Sequence, residues 1–182
     1  AVHQKLGGVL QEFAPFGTAK LRELEGFDGI EELDFATART EVYTTPGALP
    51  TVSPSDLRHD LYRRDFSVNA MALPTAALVQ WSRDGDERTF TAHLIDYFYG
   101  RADLAARSIR ALHDKSFQDD PTRIFRGARY AGRIEGSFEE ATTQWAQSAI
   151  KHGALTTIST DRILQEFRKI FYERRPAAAL RV

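Results

Sequence analysis

The sequence predicts an α+β fold, with an incomplete mixed sheet and its helices over residues 1–103 and an all-helical part over residues 104–182. Two observations predict it. Upstream of Asp103, apolar residues alternate within short runs bounded by Gly, Pro and Asp clusters, the pattern of hairpins. Downstream, each apolar run has the three- and four-residue spacing of a helix. The stretch 100–104 is the expected domain boundary, and a tight one.

Taken in order, Val2, Leu6, Val9, Leu10 and Phe13 predict an amphipathic helix over residues 1 to about 13, with no residue to cap its start. Runs 19–25 and 30–39 flank the turn Gly26-Phe27-Asp28-Gly29 as a hairpin, with Leu33 and Phe35 on the buried face and Asp34 opposite. Residues 40–54, punctuated by Pro46, Gly47, Pro50 and Pro54, read as a surface loop. Ser55 is placed to cap a helix from Asp56 that presents Leu57 and Leu61, and apolar periodicity resumes through Leu73. A second hairpin is expected over 79–95 across Asp84-Gly85-Asp86. Helices are then expected over 104–113, 121–134, 138–152 and 158–173. Pro121 suits a first turn, and Ser159 an N-cap before the stripe Ile163, Phe167, Ile170, Phe171.

A chain of 182 residues with 42% hydrophobic and 27% charged residues can bury a core and present a polar surface. The absence of cysteine excludes disulfides, thiolate metal sites and a cysteine nucleophile, so a metal must sit on oxygen or imidazole. No apolar run approaches the roughly 20 residues that cross a bilayer, and no signal pattern opens the chain. A soluble cytoplasmic protein with no membrane partner is expected. A net charge of −1 argues against a wholly basic nucleic-acid coat, yet Arg123, Arg126, Arg129 and Arg133 recur at helical spacing behind Asp119 and Asp120, which makes a polarised site.

Three segments bear the chemistry. In Arg63-Arg64-Asp65-Phe66-Ser67-Val68-Asn69-Ala70-Met71-Ala72, two guanidiniums suit phosphate, a carboxylate suits a ribose hydroxyl and an amide suits either. Alone, Arg-Arg-Asp on an amphipathic helix also serves as a solvated ion-pair face. In Leu94-Ile95-Asp96-Tyr97-Phe98-Tyr99-Gly100-Arg101-Ala102-Asp103-Leu104, Asp96 can clamp a turn and Asp103 can cap a helix, a hinge rather than a catalyst. In Asp119-Asp120-Pro121-Thr122-Arg123-Ile124-Phe125-Arg126, Asp120 and Arg123 stand three apart across a helix start. One accepts and one donates, so together they can meet the hydrogen-bonding edge of a base, or equally form a cap with an i,i+3 ion pair.

In this order, RRDFSVNAMA, LIDYFYGRADL, DDPTRIFRGARYAGRI and ISTDRILQEFRKIF resemble motifs of the class II tRNA nucleotidyltransferase and poly(A) polymerase family, within the polymerase β-like superfamily, from about Leu33 to Phe171. The resemblance implies a five-stranded nucleotidyltransferase head, a helical neck that binds the base and RNA, and a nucleotide between them. It implies that Asp65 and Asn69 meet ribose or phosphates with Arg64 in support, that Asp120 and Arg123 pair with the base of ATP or CTP, and that Arg126 lies near the triphosphate. Arg39 and Glu41 fall where the family has its flexible loop. The implied activity is addition of CCA, CC or A to a tRNA 3′ end, or of poly(A), with Mg2+ as the metal.

The chain departs from the pattern in three places. Asp119 stands where the family has a different acid, and Tyr99-Gly100 where it has Gly-Gly. More consequentially, no glycine-rich phosphate loop with an Asp-x-Asp pair precedes the loop at 40–54, and Asp34 is the single candidate for a third carboxylate. Two-metal phosphoryl transfer needs clustered carboxylates. The expectation is therefore a chain that lacks transfer by itself and belongs to a parent extending at both ends. Two other readings stand beside it: a nucleotide- or RNA-binding remnant, with Trp81 and Trp145 as conceivable stacking platforms, and a metal phosphohydrolase built on His59-Asp60 and His113-Asp114.

Overall fold

The computed structural model describes residues 2–24 and 30–182, apart from the side chains of Val2, His3 and Phe16. A short helix α1 (Val2–Leu6) leads into strands β1 (Val9–Phe13), β2 (Thr18–Arg22) and β3 (Glu32–Ala36), an antiparallel sheet in the order β1-β2-β3. The single helix expected over 1–13 is thus a helix and a strand. Gly7 and Gly8, at φ 62° and 84°, take left-handed backbone that stops α1, and Val9–Phe13 pairs with Thr18–Arg22. The hairpin of β2 and β3 forms as expected, with Leu21 opposite Leu33; its turn Gly26-Phe27-Asp28-Gly29 lies outside the described residues. Leu33 is half-buried, but Phe35 is 38% exposed, because no described element covers that end of the sheet.

The expected loop at 40–54 is largely a second hairpin, β4 (Arg39–Val42) with β5 (Thr51–Pro54), joined by residues 43–50. The turn residues Pro46, Gly47 and Pro50 all fall in that connection, so the loop signal was sound over eight residues and overextended onto the strands. Among the described residues five strands therefore precede residue 55, in two separate sheets rather than one. Helix α2 (Leu57–Tyr62) is capped by Asp56, whose carboxylate accepts from the His59 N–H at 2.9 Å, and not by Ser55. A single 3-10 turn at Ser67–Asn69 follows.

Where a hairpin was expected across Asp84-Gly85-Asp86, the chain forms α3 (Thr75–Asp84) and α4 (Glu87–His93). Gly85, at φ 64°, closes α3 through its N–H to Trp81 O, and Asp86 caps α4. The turn residues were right and the period of the flanks was not. The helix expected over 104–113 does not form there: α5 spans Gly100–Ala105 and shares only residues 104 and 105 with it. Arg107, at φ 54°, turns the chain into β6 (Ser108–Ile109), which pairs in parallel with β7 (Ser137–Phe138). Between them lie α6 (Ser116–Asp119) and α7 (Thr122–Ile134), with Pro121 as N-cap of α7. Helix α8 (Glu140–Lys151) is capped by Glu139, and α9 (Thr160–Phe171) by Ser159 as expected; α10 (Pro176–Ala179) packs back on α7. Along the α9 stripe, Ile170 is buried and Ile163 and Phe167 half-buried, whereas Phe171 is 63% exposed.

The core gathers Phe66, Ile109, Ala111, Phe117, Ala131, Ala146 and Ala149, with Phe138 and Trp145 packed on it. The ring centroids of Phe117, Tyr130 and Phe138 lie 6.1–6.4 Å from that of Phe66. Small residues let α7 approach them: a Cβ on Gly127 would fall 2.4 Å from Phe138 and 2.7 Å from Phe66. Phe66 belongs to the segment before residue 103 and is buried among residues after it, so the arginine-rich segment next to it is anchored on the helical part.

At the junction, Asp96 clamps the turn as expected, accepting from the N–H groups of Gly100 at 2.7 Å and Arg101 at 2.9 Å. Asp103 is not a cap. It lies inside α5 and accepts from Arg110 and from the Ser67 hydroxyl, tying the helix to the 3-10 turn. Tyr99, 72% exposed, holds φ 60° at the position where the family pattern has glycine. An L side chain there costs about 1–2 kcal/mol. Replacing Tyr99 by glycine should therefore raise unfolding free energy by about 0.5–1 kcal/mol, after the added flexibility of the unfolded chain is subtracted, a gain that chemical denaturation measures.

Candidate functional site

A cavity of about 550 Å³ is lined by Glu41, Tyr43, Arg63, Arg64, Asp65, Asn69, Asp120, Thr122, Arg123, Arg126, Tyr130 and Glu166. All six residues singled out for the nucleotide, Arg64, Asp65, Asn69, Asp120, Arg123 and Arg126, line it together with Glu41. Arg39 does not line it, and both Arg39 and Glu41 stand in strand β4 rather than in the loop. Tyr43, Arg63, Thr122, Tyr130 and Glu166 were missed as site residues. Arg63, Thr122, Tyr130 and Glu166 fall inside the quoted motifs, Arg63 as one of the two guanidiniums suited to phosphate, whereas Tyr43 falls outside them.

One wall is built on Asp65, 6% exposed. Its Oδ1 accepts from Phe66 N at 2.9 Å and from Asn69 Nδ2 at 3.0 Å, and its Oδ2 accepts from Arg126 at 2.8 Å and 2.6 Å. Burial works against the Arg126 charge, but the Asp65 carboxylate and the Tyr130 oxygen outweigh it, and the guanidinium pKa is raised. Arg126 also donates to Tyr130 Oη at 3.1 Å and lies over that ring at 5.7 Å.

The lining also holds the pair read from sequence as base-facing. Asp120 Oδ1 accepts from Thr122 N at 3.1 Å, Thr122 Oγ1 at 2.7 Å and Arg162 at 2.9 Å. Among the described residues its Oδ2 has no hydrogen-bond partner. Arg123, 6% exposed, donates to Ser116 Oγ at 2.8 Å and to the Arg63 carbonyl at 2.9 Å, and no described carboxylate lies within ion-pair distance of it. Asp120 takes the Thr122 N–H at the start of α7, although the N-cap position is Pro121; the expected i,i+3 ion pair with Arg123 is absent among the described residues. A guanidinium held flat by two neutral acceptors, beside a carboxylate with one oxygen open, leaves a donor and an acceptor side by side on the cavity wall.

A charge lattice forms another part of the lining. Glu41 accepts from Arg39 at 3.0 Å, Arg63 at 2.8 Å and Tyr43 Oη at 2.9 Å, and Asp60 accepts from Arg63 at 2.7 Å, Arg64 at 3.2 Å and Arg39 N at 3.2 Å. Burial, with Glu41 adding to it, pushes the Tyr43 phenol up to about 12, so it remains a donor. For Asp60, burial opposes the charge, but Arg63 and the other donors outweigh it and the pKa is lowered. A carboxylate with a lowered folded pKa stabilises the fold above the ordinary carboxylate range and loses that contribution as pH falls through its folded value. Asp60→Asn should cost about 3 kcal/mol at neutral pH by leaving Arg63 under-paired. The gap from wild type should narrow in denaturant titrations run below about pH 4.

Asp34, considered as a third catalytic carboxylate, stands outside this cavity and pairs with Lys20 at 3.0 Å, its side chain 66% exposed. Among the described residues no three His, Cys, Asp or Glu side chains cluster so as to hold a metal ion. The described residues therefore do not fit the Mg2+ that the resemblance implies. The His59 and His113 doublets fare likewise: His59 bonds to Asp56 at 2.8 Å, while His113 packs its ring on Tyr62 at 5.6 Å. Trp145 packs on the core, Trp81 packs tilted against Phe90 at 5.7 Å, and neither lines the cavity. No helix among the described residues is long and apolar enough to cross a membrane.

Small antiparallel sheets joined to a helical neck, with a charged cavity walled by both, define a nucleotidyltransferase head and neck. Residues 2–110 match the family model of the poly A polymerase head domain, and the chain belongs to that tRNA nucleotidyltransferase and poly(A) polymerase family. It is 38% identical over 179 residues to the A-adding tRNA nucleotidyltransferase of Geobacter sulfurreducens, covering 98% of this chain and 19% of that protein. A structure of a CCA-adding enzyme in an apo form superposes with TM-score 0.77 at 36% identity, over 99% of this chain and 39% of that one. A CCA-adding enzyme complexed with ATP superposes with TM-score 0.72 at 33% identity, over 99% of this chain and 36% of that one. The chain thus spans from 19% to 39% of the length of these relatives.

Proposed function

We propose that this chain is the nucleotide-reading part of an enzyme that adds nucleotides to the 3′ end of tRNA, taking ATP or CTP and selecting the base through Asp120 and Arg123. The observation that supports it is their arrangement: three residues apart, on one cavity wall, and not paired with each other. Adenine and cytosine both present an exocyclic amino donor beside a ring-nitrogen acceptor, whereas guanine and uracil place a carbonyl oxygen where the amine would be. Asp120 Oδ2 suits the amine and Arg123 the ring nitrogen; a carbonyl there would face the carboxylate. Asp65 fixes Arg126 and Asn69 for the sugar and phosphates, with Arg64 at the open edge. In this reading Arg64, Asp65 and Asn69 come from before the expected boundary near residue 103, and Arg126 and the two base readers from after it.

Metal-assisted transfer needs carboxylates that the described residues do not cluster, so the test of this reading is binding and not extension. Calorimetric titration of the four ribonucleoside triphosphates into the chain should give ATP and CTP affinities at least tenfold above those for GTP and UTP, since each mispaired edge costs about 1–3 kcal/mol. Equal affinity for all four would remove the base-reading role.

A further inference from the structure

A base has two π-faces as well as a hydrogen-bonding edge, and Asp120 and Arg123 can meet only the edge. Stacking a face on an aromatic side chain adds affinity on the scale of a base-edge contact. Two aromatic side chains line the cavity, Tyr43 and Tyr130. Tyr130 is already engaged: the guanidiniums of Arg126, Arg129 and Arg133 lie 4.7–5.8 Å from its ring centroid, and Phe66 meets it edge-on. Tyr43 is half-buried, and among the described residues no aromatic ring or guanidinium packs on its ring.

Two series of contacts place Tyr43 beside the base readers. Its Oη donates to Glu41 Oε2 at 2.9 Å, Glu41 Oε1 accepts from Arg63 at 2.8 Å, and the Arg63 carbonyl accepts from Arg123 at 2.9 Å. Further along the β4–β5 connection, Gly47 N–H donates to the Asp119 carbonyl at 3.3 Å, while Arg162 donates to the Gly47 carbonyl at 3.0 Å and to Asp120 Oδ1 at 2.9 Å. The connection is thus tied towards Arg123 at its first residue and to Asp119 and Asp120 at Gly47. Tyr43 and Arg123 also both line a neighbouring cavity of about 310 Å³, so they stand together where the two cavities meet. A phenol tethered at its oxygen has less freedom to lose when a ligand stacks on its ring.

We propose that the Tyr43 ring stacks on a face of the base whose edge Asp120 and Arg123 read, so that the β4–β5 connection supplies affinity for the base and the start of α7 supplies the choice between bases. This rests on the nucleotide-binding reading of the cavity. Stacking is tolerant of base identity because every base has a π-face, so the ring strengthens ATP and CTP binding without duplicating the edge contacts.

The test titrates ATP into the wild-type chain, Tyr43→Phe and Tyr43→Leu by calorimetry, and looks for the ring contact itself by nuclear magnetic resonance. Tyr43→Phe loses the Glu41 bond but keeps the ring, and should bind ATP within about threefold of wild type, whereas Tyr43→Leu should bind it about tenfold more weakly, the usual worth of one stacked base. In the wild-type complex, magnetisation should pass between the adenine ring protons and tyrosine ring protons that belong to residue 43, assigned by their disappearance in Tyr43→Phe. A Tyr43→Leu chain that binds ATP as wild type does overturns the proposal. So does a Tyr43→Phe chain that falls as far as Tyr43→Leu, since the loss then belongs to the Glu41 bond, and so does a wild-type complex without the ring contact. That contact is read on the unsubstituted chain, so it decides the matter even if Tyr43→Leu is poorly folded. Preference for ATP and CTP over GTP and UTP with no contact at Tyr43 removes the stacking alone; the contact with equal affinity for all four removes edge reading alone. A wild-type chain that binds no nucleotide overturns both.

Discussion

Replacing Arg123 with alanine should lower ATP and CTP affinity by about tenfold to 100-fold, one hydrogen bond from a charged group to the base being lost, while changing stability little. The two halves of this expectation have separate causes. Arg123 is buried without a described counter-charge, held by Ser116 Oγ and the Arg63 carbonyl. Removing it leaves those two acceptors under-met, which costs about 1–3 kcal/mol, but it also removes a guanidinium whose burial is unfavourable in the empty cavity. These terms oppose each other. The bound state has no such offset, since the ring nitrogen of the base loses its donor. Arg123→Lys should recover little of the loss, because a point charge on a flexible stem cannot bond Ser116, the Arg63 carbonyl and a base together as a planar fork does. Calorimetry beside thermal melting separates the effects. Binding within threefold of wild type in a folded Arg123→Ala would show that this guanidinium serves the fold alone.

Much of the site was legible in the sequence, and the reason is local. Asp65 and Asn69 sit four apart on one turn, Asp120 and Arg123 three apart at a helix start, and such spacings fix relative direction before any tertiary structure is known. That the two groups belong to one nucleotide site came from the motif resemblance, since Asp65 and Asp120 are 55 positions apart. Glu166 and Tyr43 were not legible. Each is an ordinary residue on an ordinary element, and only the packing of α9 and of the β4–β5 hairpin brings them to the cavity. Fold errors have a similar origin. Asp84-Gly85-Asp86 is good turn chemistry both for strands and for a helix C-cap followed by an N-cap, and the flanks of α3 and α4 are too polar for their period to decide. At the start of the chain, Val9, Leu10 and Phe13 fit a helical period as well as a strand, and the two glycines before them were the better signal.

The largest effect on stability is expected at Phe66. Its ring is fully buried, meets Phe117, Tyr130 and Phe138 within 6.1–6.4 Å, and closes on the bare face of Gly127. Phe66→Ala should cost about 3–5 kcal/mol, the loss of apolar transfer plus an unfilled cavity, which is a large share of a typical domain's 5–15 kcal/mol. Gly127→Ala attacks the same contact from the other side. Alanine is about 1 kcal/mol better than glycine in a helix interior, but its Cβ would stand 2.4 Å from Phe138, where something must move. Overpacking of this kind costs about 1–3 kcal/mol, so the net effect should still be destabilising. Phe66 is also the neighbour of Asp65, whose carboxylate takes the Phe66 N–H. The ring that fills the core therefore also sets the position of the carboxylate that holds Arg126, and Phe66→Leu, milder in volume, should weaken ATP binding in proportion to its loss of stability. A denaturation series on Phe66→Ala, Phe66→Leu and Gly127→Ala measures the packing; if Phe66→Leu loses stability yet binds ATP as wild type does, core and cavity are uncoupled.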